Sequence, residues 1–179
     1  MIFYSEKEIT IRTMTEKDIQ VIVKEEIAQG WELSSPKKYL KRLNDMAEKK
    51  SIALVAEYGG NVAGYINVYF LENIPEIVDF GVLRKYQRRG IGTKLMDVAE
   101  DIALKKADSV FLFVGLHSGY GSAQRMYIKR GYVPDGKGVY YGNEPCVPYE
   151  SYVNDDNLLL KLSMTKNRFQ KIKDRSLER

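Results

Sequence analysis

The stretch Gln87-Arg88-Arg89-Gly90-Ile91-Gly92 separates an apolar segment, residues 77–83, from an amphipathic one, residues 95–103. The first segment has the composition of a strand, and the second repeats its apolar residues at helical spacing. A helix begins with backbone N–H groups that have no intrahelical acceptor and with about half a positive charge. Glycines let an anion approach this backbone closely, and the two arginines add attraction. The stretch therefore predicts a loop that binds phosphate or pyrophosphate.

Three known phosphate-binding patterns compete for this loop. A P-loop requires Gly-x-x-x-x-Gly-Lys-Ser/Thr, which occurs nowhere in the chain. A dinucleotide-binding fold requires a third glycine three residues after Gly92, where this sequence has Leu95. The third pattern, Gln/Arg-x-x-Gly-x-Gly/Ala, fits residues 87–92 at every fixed position. The alternative without a ligand is a basic loop that only begins a helix.

A second segment supports the third pattern. Residues 123–132 read AQRMYIKRGY and follow Ala-x-x-Leu-Tyr-x-x-x-Gly-Phe/Tyr, with Met in place of Leu. With both segments the chain resembles the GNAT superfamily of acyl-CoA-dependent N-acetyltransferases, over about residues 9–162. The Asn that precedes this pattern in the family is Tyr120 here. That departure affects one expected side-chain contact to the pantetheine arm of coenzyme A.

The remaining sequence favours an α/β fold with a mixed, mostly antiparallel central sheet flanked by helices. Thr15 begins a predicted helix whose apolar face carries Ile19, Ile22, Val23 and Ile27. A second helix begins at Pro36, and two glycines join a predicted hairpin of residues 51–58 and 61–71. The predicted order is β-α-α-β-β-β-α-β-α-β-β. Beyond Met164 the polar sequence allows at most a helical turn or two.

The resemblance implies where coenzyme A binds. The backbone of three strand residues is expected to hold the pantetheine arm: Phe80, Gly81 and Val82. The loop is expected to hold the pyrophosphate, with Ala123 contributing from the short helix that follows. The expected loop residues are Gln87, Arg88, Arg89, Gly90, Ile91, Gly92 and Thr93. Acetyl-CoA is the expected cosubstrate, and no metal is expected.

Acyl transfer to an amine requires a proton donor for the departing thiolate and a neutral amine. Tyr127 aligns with the family tyrosine near the thioester sulfur, and a phenol with an ordinary pKa of about 10 is protonated at neutral pH. The alternative is that Tyr127 only packs its helix. Asp79 precedes Gly81 by two residues on the same strand face, and we expect it to serve as base or substrate anchor. The other candidate bases are Glu72, Glu76 and His117.

Composition excludes several classes of protein. The 179 residues are a length typical of one domain, and they include one Cys and one His. Those counts exclude an internal disulfide and a multi-cysteine zinc site. No apolar run approaches the length of a membrane span, so no membrane association is expected. The pattern predicts a cytoplasmic protein.

The net charge of +4 is carried by the end of the chain. The last 17 residues hold six Lys or Arg against two Asp or Glu, and residues 1–162 are neutral overall. We therefore expect no nucleic acid partner. The sequence predicts a GNAT-like acetyltransferase domain over residues 1–162 and a basic C-terminal tail over residues 163–179.

The expected function is transfer of an acetyl group from acetyl-CoA to a primary amine within a ternary complex. The expected acceptor is a small molecule or a peptide. The resemblance narrows it no further, since one scaffold serves many amines in this family. The alternative is a non-catalytic domain that binds acyl-CoA for regulation. A homodimer is common among such proteins.

Overall fold

Helices and strands make up the computed structural model, which describes residues 1–31, 34–71 and 73–177, with side chains up to residue 174. The contacts divide the chain into two compact units, Met1–Lys105 and Lys106–Arg179. Each unit combines helices with antiparallel strands, so the predicted α/β class is confirmed. None of the described helices is long and apolar enough to span a bilayer.

The first unit contains five strands that pair antiparallel in sequence order. They are β1 (Ile2–Glu6), β2 (Ile9–Thr13), β3 (Ser51–Tyr58), β4 (Asn61–Tyr69) and β5 (Glu76–Val82). The predicted hairpin is β3 and β4, and its turn at Gly59 and Gly60 has the positive φ angles that favour glycine. Sequence reasoning missed β1, because its residues are partly or fully exposed and lack an apolar pattern.

Three helices pack on these strands: α1 (Glu16–Ala28), α2 (Pro36–Ala47) and α3 (Ile91–Leu104). The sequence of residues 15–18 resembles a capping box, and the structure has one before α1, since the Thr15 N–H donates to Asp18 Oδ2 at 2.7 Å. The predicted apolar face of α1 is wrong at one position, Ile27. Ile27 is 50% exposed and Glu26 only 3% exposed. Glu26 follows Ile22 by four residues, so the helical repeat places the carboxylate on the buried face.

The second unit contains four strands in the order β6-β9-β7-β8, all paired antiparallel. They are β6 (Ser109–Gly115), β7 (Val133–Tyr141), β8 (Glu144–Pro145) and β9 (Leu158–Thr165). Its helices are α4 (Gly121–Lys129) and α5 (Lys166–Leu177). The short helix expected to carry Ala123 is therefore confirmed as α4.

Two expectations for the second unit are wrong. The chain after Met164 forms the 12-residue helix α5, where at most two turns were predicted. The side chain of Ile172 packs directly on Gly131, a contact between distant residues that the local sequence does not indicate. The sequence also predicts a late strand over residues 139–141, but β7 already begins at Val133. A register shift in its pairing with β9 accommodates two glycines that resemble a loop in the sequence.

Candidate functional site

The predicted anion-binding loop lies between β5 and the first turn of α3. The Gln87 side chain donates to Val82 O at 3.1 Å and ties the loop to the strand. Gly90 precedes α3 with a φ of 80°, a conformation that favours glycine. Among the described residues, no hydrogen-bond acceptor is found for the backbone N–H groups of residues 88–93. These groups are therefore available to an anion.

Gly92 allows α3 to approach β5 closely. A Cβ at this position would lie 3.1 Å from Phe80 Cζ and 3.4 Å from Val82 Cγ2. Contacts this short require the neighbouring side chains to move, and the Phe80 ring lies directly in the way. The glycine therefore fixes how near the first N–H groups of α3 lie to the strand.

Four cations are clustered around the loop in the sequence: Arg84, Lys85, Arg88 and Arg89. The first two are held by α1 and its C-terminal end. Lys85 Nζ lies 2.7 Å from Glu25 Oε1, and this contact raises the pKa of Lys85 above its ordinary value. The Arg84 guanidinium donates to Gln29 O at 3.3 Å. The structure therefore divides the basic cluster into a pair that binds α1 and a pair at the loop itself.

The second pair is Arg88 and Arg89, and both side chains are exposed. The Arg89 guanidinium stacks on the Tyr58 ring at 4.9 Å from its centroid. Arg88 has a φ of 60°, and no ion pair is found for its side chain within the described part of the chain. Of the four cations, Arg88 has the charge most available to an incoming anion.

A β-bulge interrupts β5 just before the residues expected to hold the pantetheine arm. Asn67 lies opposite Val78 and Tyr65 opposite Gly81, so β5 has one residue more than β4 over this interval. Asp79 lies within the bulge with a φ of 51°, which is uncommon for a residue other than glycine. Asp79 contacts Asn67, and Gly81 contacts Tyr65, so the two β5 residues share a face as expected.

Two cations of α2 hold the Asp79 carboxylate. Lys38 Nζ lies 2.9 Å from Oδ1, and Arg42 Nε lies 2.6 Å from Oδ2. Asn67 Nδ2 also donates to Oδ2 at 3.2 Å. Burial lowers the pKa of Arg42, but Asp79 and Tyr69 outweigh this effect and leave that pKa raised. A carboxylate that contacts both an ammonium and a guanidinium group is suited to anchoring further groups of that kind.

Asn67 leaves one polar atom of this group without a partner. The residue is fully buried, and no donor for its Oδ1 is found among the described residues. A buried carbonyl oxygen without a hydrogen bond costs about 1–3 kcal/mol of stability. Its location beside Asp79 provides an acceptor for an additional N–H group.

Sequence reasoning missed a buried carboxylate, Glu26, which contacts the tyrosine that packs on Gly81. Glu26 accepts hydrogen bonds from Tyr39 at 2.6 Å and from Tyr65 and Ser34. Burial raises the pKa of both tyrosines above the ordinary value. A Cβ on Gly81 would lie 2.6 Å from Tyr65 Oη, so only glycine leaves room for this ring. The signal in the sequence was a carboxylate on the apolar face of α1.

The predicted acid, Tyr127, is a buried residue of α4. Its ring contacts Tyr132 edge to face, with the centroids 5.8 Å apart. Ala123 precedes Tyr127 by four residues and therefore lies on the same side of the helix. The Gln124 side chain donates to Gly115 O at 2.7 Å and fixes α4 to the end of β6. Within the second unit, the structure therefore places Ala123 and Tyr127 on one anchored helix.

Tyr120, which replaces the family Asn, is engaged within the second unit. Its ring packs on Gly115, and its hydroxyl donates to Asp156 Oδ1 at 2.9 Å. Burial and this hydrogen bond raise the pKa of Tyr120 to about 12. His117 Nε2 contacts the same Asp156 oxygen at 2.9 Å, and its Nδ1 accepts from the Gly119 N–H. Both ring nitrogens of His117 therefore have structural partners.

Two candidate bases remain, Glu76 and Glu72. Glu76 lies at the start of β5, three residues before Asp79 and outside the bulge. Glu72 lies outside the described residues. Sequence reasoning also missed Arg42 and Asp156, because their partners are distant along the chain.

Known proteins match the chain in sequence pattern and in fold. A profile of the acetyltransferase (GNAT) family matches residues 19–132. No curated protein matches significantly. The solved structure of Ard1 from Thermoplasma volcanium is 22% identical and covers 89% of this chain and 98% of its own, with a TM-score of 0.69.

Two further solved structures show the same fold. The PaiA N-acetyltransferase from Thermoplasma acidophilum, solved in complex with coenzyme A, is 18% identical and covers 87% of this chain and 98% of its own, with a TM-score of 0.63. An acetyl transferase from Salmonella typhimurium that modifies the N-terminal serine of the 50S ribosomal subunit protein L7/L12 is 9% identical. It covers 92% of this chain and 99% of its own, with a TM-score of 0.72.

The family match includes the candidate site segments described above. It spans the bulged strand, the glycine loop at the start of α3 and the helix that carries Tyr127. Because the matched residues make up more than half of the sequence, this chain belongs to the GNAT acetyltransferase family.

Proposed function

We propose that this chain transfers the acetyl group of acetyl-CoA to a primary amine, by direct attack of the amine within a ternary complex. The observation that carries the proposal is the loop before α3, where the N–H groups of residues 88–93 have no acceptor among the described residues. Gly90 and Gly92 leave this backbone uncovered. The arrangement fits a pyrophosphate group, and the coenzyme A bound to the PaiA neighbour supports the same ligand.

Residues of the first unit are assigned to the cosubstrate in two groups. The backbone of Phe80, Gly81 and Val82 holds the pantetheine arm through hydrogen bonds. The loop from Gln87 to Thr93 holds the pyrophosphate, and Arg88 attracts its charge over a longer range. The bulge supports this assignment, since extra residues in a strand redirect its backbone groups away from regular pairing. Acetyl-CoA supplies the activated acetyl group as a thioester.

Tyr127 is the proposed general acid. A departing thiolate needs a proton, and a phenol protonated at neutral pH can donate one. The buried location of Tyr127 on a helix fixed at Gly115 supports this role, because a proton donor has to be held in position. Ala123, one turn earlier on the same side of the helix, is also assigned to the cosubstrate.

Asp79 is the proposed anchor of the acceptor ammonium group. The carboxylate lies at the bulge, next to the strand residues assigned to the pantetheine arm. Its contacts with the Lys38 ammonium and the Arg42 guanidinium support this role. The proton of the acceptor amine then leaves through solvent before attack, and Asp79 positions the nitrogen.

Protein and peptide amines are one acceptor class for this site. The Salmonella neighbour that modifies an N-terminal serine supports this class, and a small polyamine is the other class to be compared. We place the activity in the cytoplasm, which agrees with a chain whose single cysteine cannot form an internal disulfide.

Initial rates of thiol release from acetyl-CoA test the proposal. We expect release to depend on the added amine, with intersecting double-reciprocal lines when both substrates are varied, as in a ternary complex. Parallel lines would point instead to an acetylated enzyme intermediate. Tight binding of acetyl-CoA without amine-dependent release would establish the alternative function, a regulatory binding domain.

A further inference from the structure

A lysine of the chain itself occupies the proposed ammonium anchor. Lys38 Nζ lies 2.9 Å from Asp79 Oδ1. The Lys38 side chain is 44% exposed, whereas that of Asp79 is only 13% exposed, so the lysine reaches from the surface into a mostly buried group. Asp79 directly precedes Phe80, the first residue assigned to the pantetheine arm. A primary amine of this chain is therefore held where an acceptor amine is expected.

The location of Lys38 on its helix strengthens this observation. Ser35 caps the N-terminus of α2 by accepting from the Lys37 N–H, and Lys38 is the third residue of the helix. A cation in the first turn opposes the helix dipole, and acidic residues are usual there. The first turn of α2 has none. The contact with Asp79 offsets this unfavourable position for the Lys38 charge.

We propose that Lys38 is an internal acceptor, acetylated by the chain's own transfer activity. The inference rests on the proposed function. The Lys38 ammonium first loses a proton to solvent, and its nitrogen then forms a bond to the acetyl carbonyl carbon of acetyl-CoA. The carbon–sulfur bond breaks, and its electron pair remains on sulfur. The second nitrogen proton is lost, and the thiolate takes up one proton, leaving an amide and free coenzyme A.

The surrounding residues tolerate this change of charge. Acetylation removes the positive charge of Lys38, but Arg42 stays on the other Asp79 oxygen at 2.6 Å. Asp79 is therefore not left as a buried charge without a partner, which would be strongly destabilising. The unpaired Oδ1 of Asn67 adds an acceptor beside the same carboxylate, suited to the N–H of an amine or of the amide formed.

Lys41 provides a matched control on the same helix. It lies three residues after Lys38 and also pairs with an aspartate, since its Nζ is 2.7 Å from Asp45 Oδ2. Its side chain is 66% exposed, more than that of Lys38. Uncatalysed acylation by a thioester favours the more exposed amine. Transfer at the active site favours Lys38.

The test is peptide mass mapping of the purified full chain after incubation with isotopically labelled acetyl-CoA, which separates new acetyl groups from any already present. We expect Lys38 to be labelled at least about tenfold faster than Lys41, because a held amine reacts as if highly concentrated. The rate per molecule should not depend on protein concentration. Lys41→Arg should leave the labelling of Lys38 unchanged, and Asp79→Asn should slow it severalfold.

Equal labelling of Lys38 and Lys41, or the same rate for Lys38 in urea-unfolded chain, would overturn the proposal. Measuring thiol release with added free amines shows whether only the internal acceptor is rejected or the proposed function as well. Amine-dependent release without label on Lys38 rejects only the internal acceptor. No amine-dependent release and no label reject both.

Discussion

Gly92 at the start of α3 lies directly against Phe80 of β5, so that a Cβ on Gly92 would be 3.1 Å from the Phe80 ring. The pair connects the two parts of the proposed coenzyme A site in the first unit. One residue belongs to the strand assigned to the pantetheine arm, and the other to the N–H groups assigned to the pyrophosphate. The distance between the backbone groups assigned to the pantetheine arm and those assigned to the pyrophosphate therefore depends on Gly92 being a glycine.

We expect substitutions at Gly92 to weaken coenzyme A binding in proportion to their size. Gly92→Ala requires Phe80 to shift by a few tenths of an ångström, and Gly92→Val adds two further methyl groups at the same contact. The affinity for coenzyme A, measured by calorimetry, should fall severalfold for Ala and by at least about tenfold for Val, equivalent to 1.4 kcal/mol. A Gly92→Val variant that is folded and binds coenzyme A like the wild type contradicts the assignment of the loop.

Tyr127→Phe removes the proposed acid and keeps the ring. We expect kcat to fall about a hundredfold or more, while the affinity for coenzyme A changes little. Tyr140→Phe is the control, because it also removes a phenol of the second unit, one that donates to Asp135 at 2.6 Å. Steady-state kinetics should show normal turnover for the control. Normal turnover of Tyr127→Phe across the pH range would show that this tyrosine only packs its helix.

The Asp79→Asn variant distinguishes between two roles for Asp79, an anchor of the acceptor ammonium group and a general base. Asn tolerates the positive φ of this position, so the bulge should be retained. An anchor role predicts a KM for the amine raised about tenfold or more, with kcat nearly unchanged. A base role predicts instead a large loss of kcat with little change in KM, and an altered pH profile. The second result would reverse our assignment of Asp79.

Asp18 links stability to pH. Burial raises its pKa, but hydrogen bonds from Arg12 and Thr15 outweigh burial and hold the pKa below its usual range. A lowered folded-state pKa stabilises the fold above the unfolded value of about 3.9, and this stabilisation is lost as the pH falls through the folded value. Asp18→Asn should therefore cost about 1–3 kcal/mol of unfolding free energy at pH 7 and progressively less below about pH 4.

Denaturant unfolding at several pH values measures this difference. Asp174→Asn is the control, since this carboxylate is exposed on α5 and should change stability by less than about 0.5 kcal/mol. A constant difference between wild type and Asp18→Asn from pH 7 to pH 3 would show that charge at Asp18 does not contribute.

Local signals predicted most of the elements and the position of the glycine loop. The order of strand, loop and helix around residues 87–92 depends on neighbouring residues, and Gly90 has the positive φ that such a loop requires. The capping box at Thr15 is equally local, because its two members are three residues apart. Features of this kind can be predicted from a short window of sequence.

The partners within the site depend on distant parts of the chain. Asp79 pairs with Lys38 and Arg42, which precede it by about 40 residues, and no local pattern connects them. The bulge that holds Asp79 is a property of how β5 pairs with β4. Glu26 was overlooked because a carboxylate is expected on the exposed face, and its three hydroxyl partners become neighbours only in the fold.

The central claim is transfer of an acetyl group to an amine. The most direct test is mass spectrometry of a panel of peptides with free N-termini, and of a polyamine, after incubation with acetyl-CoA and the purified chain. Our account predicts that at least one acceptor gains the mass of one acetyl group per amine in proportion to the enzyme present, and that Tyr127→Phe abolishes most of the gain. No enzyme-dependent gain on any primary amine, despite measurable binding of acetyl-CoA, would contradict it.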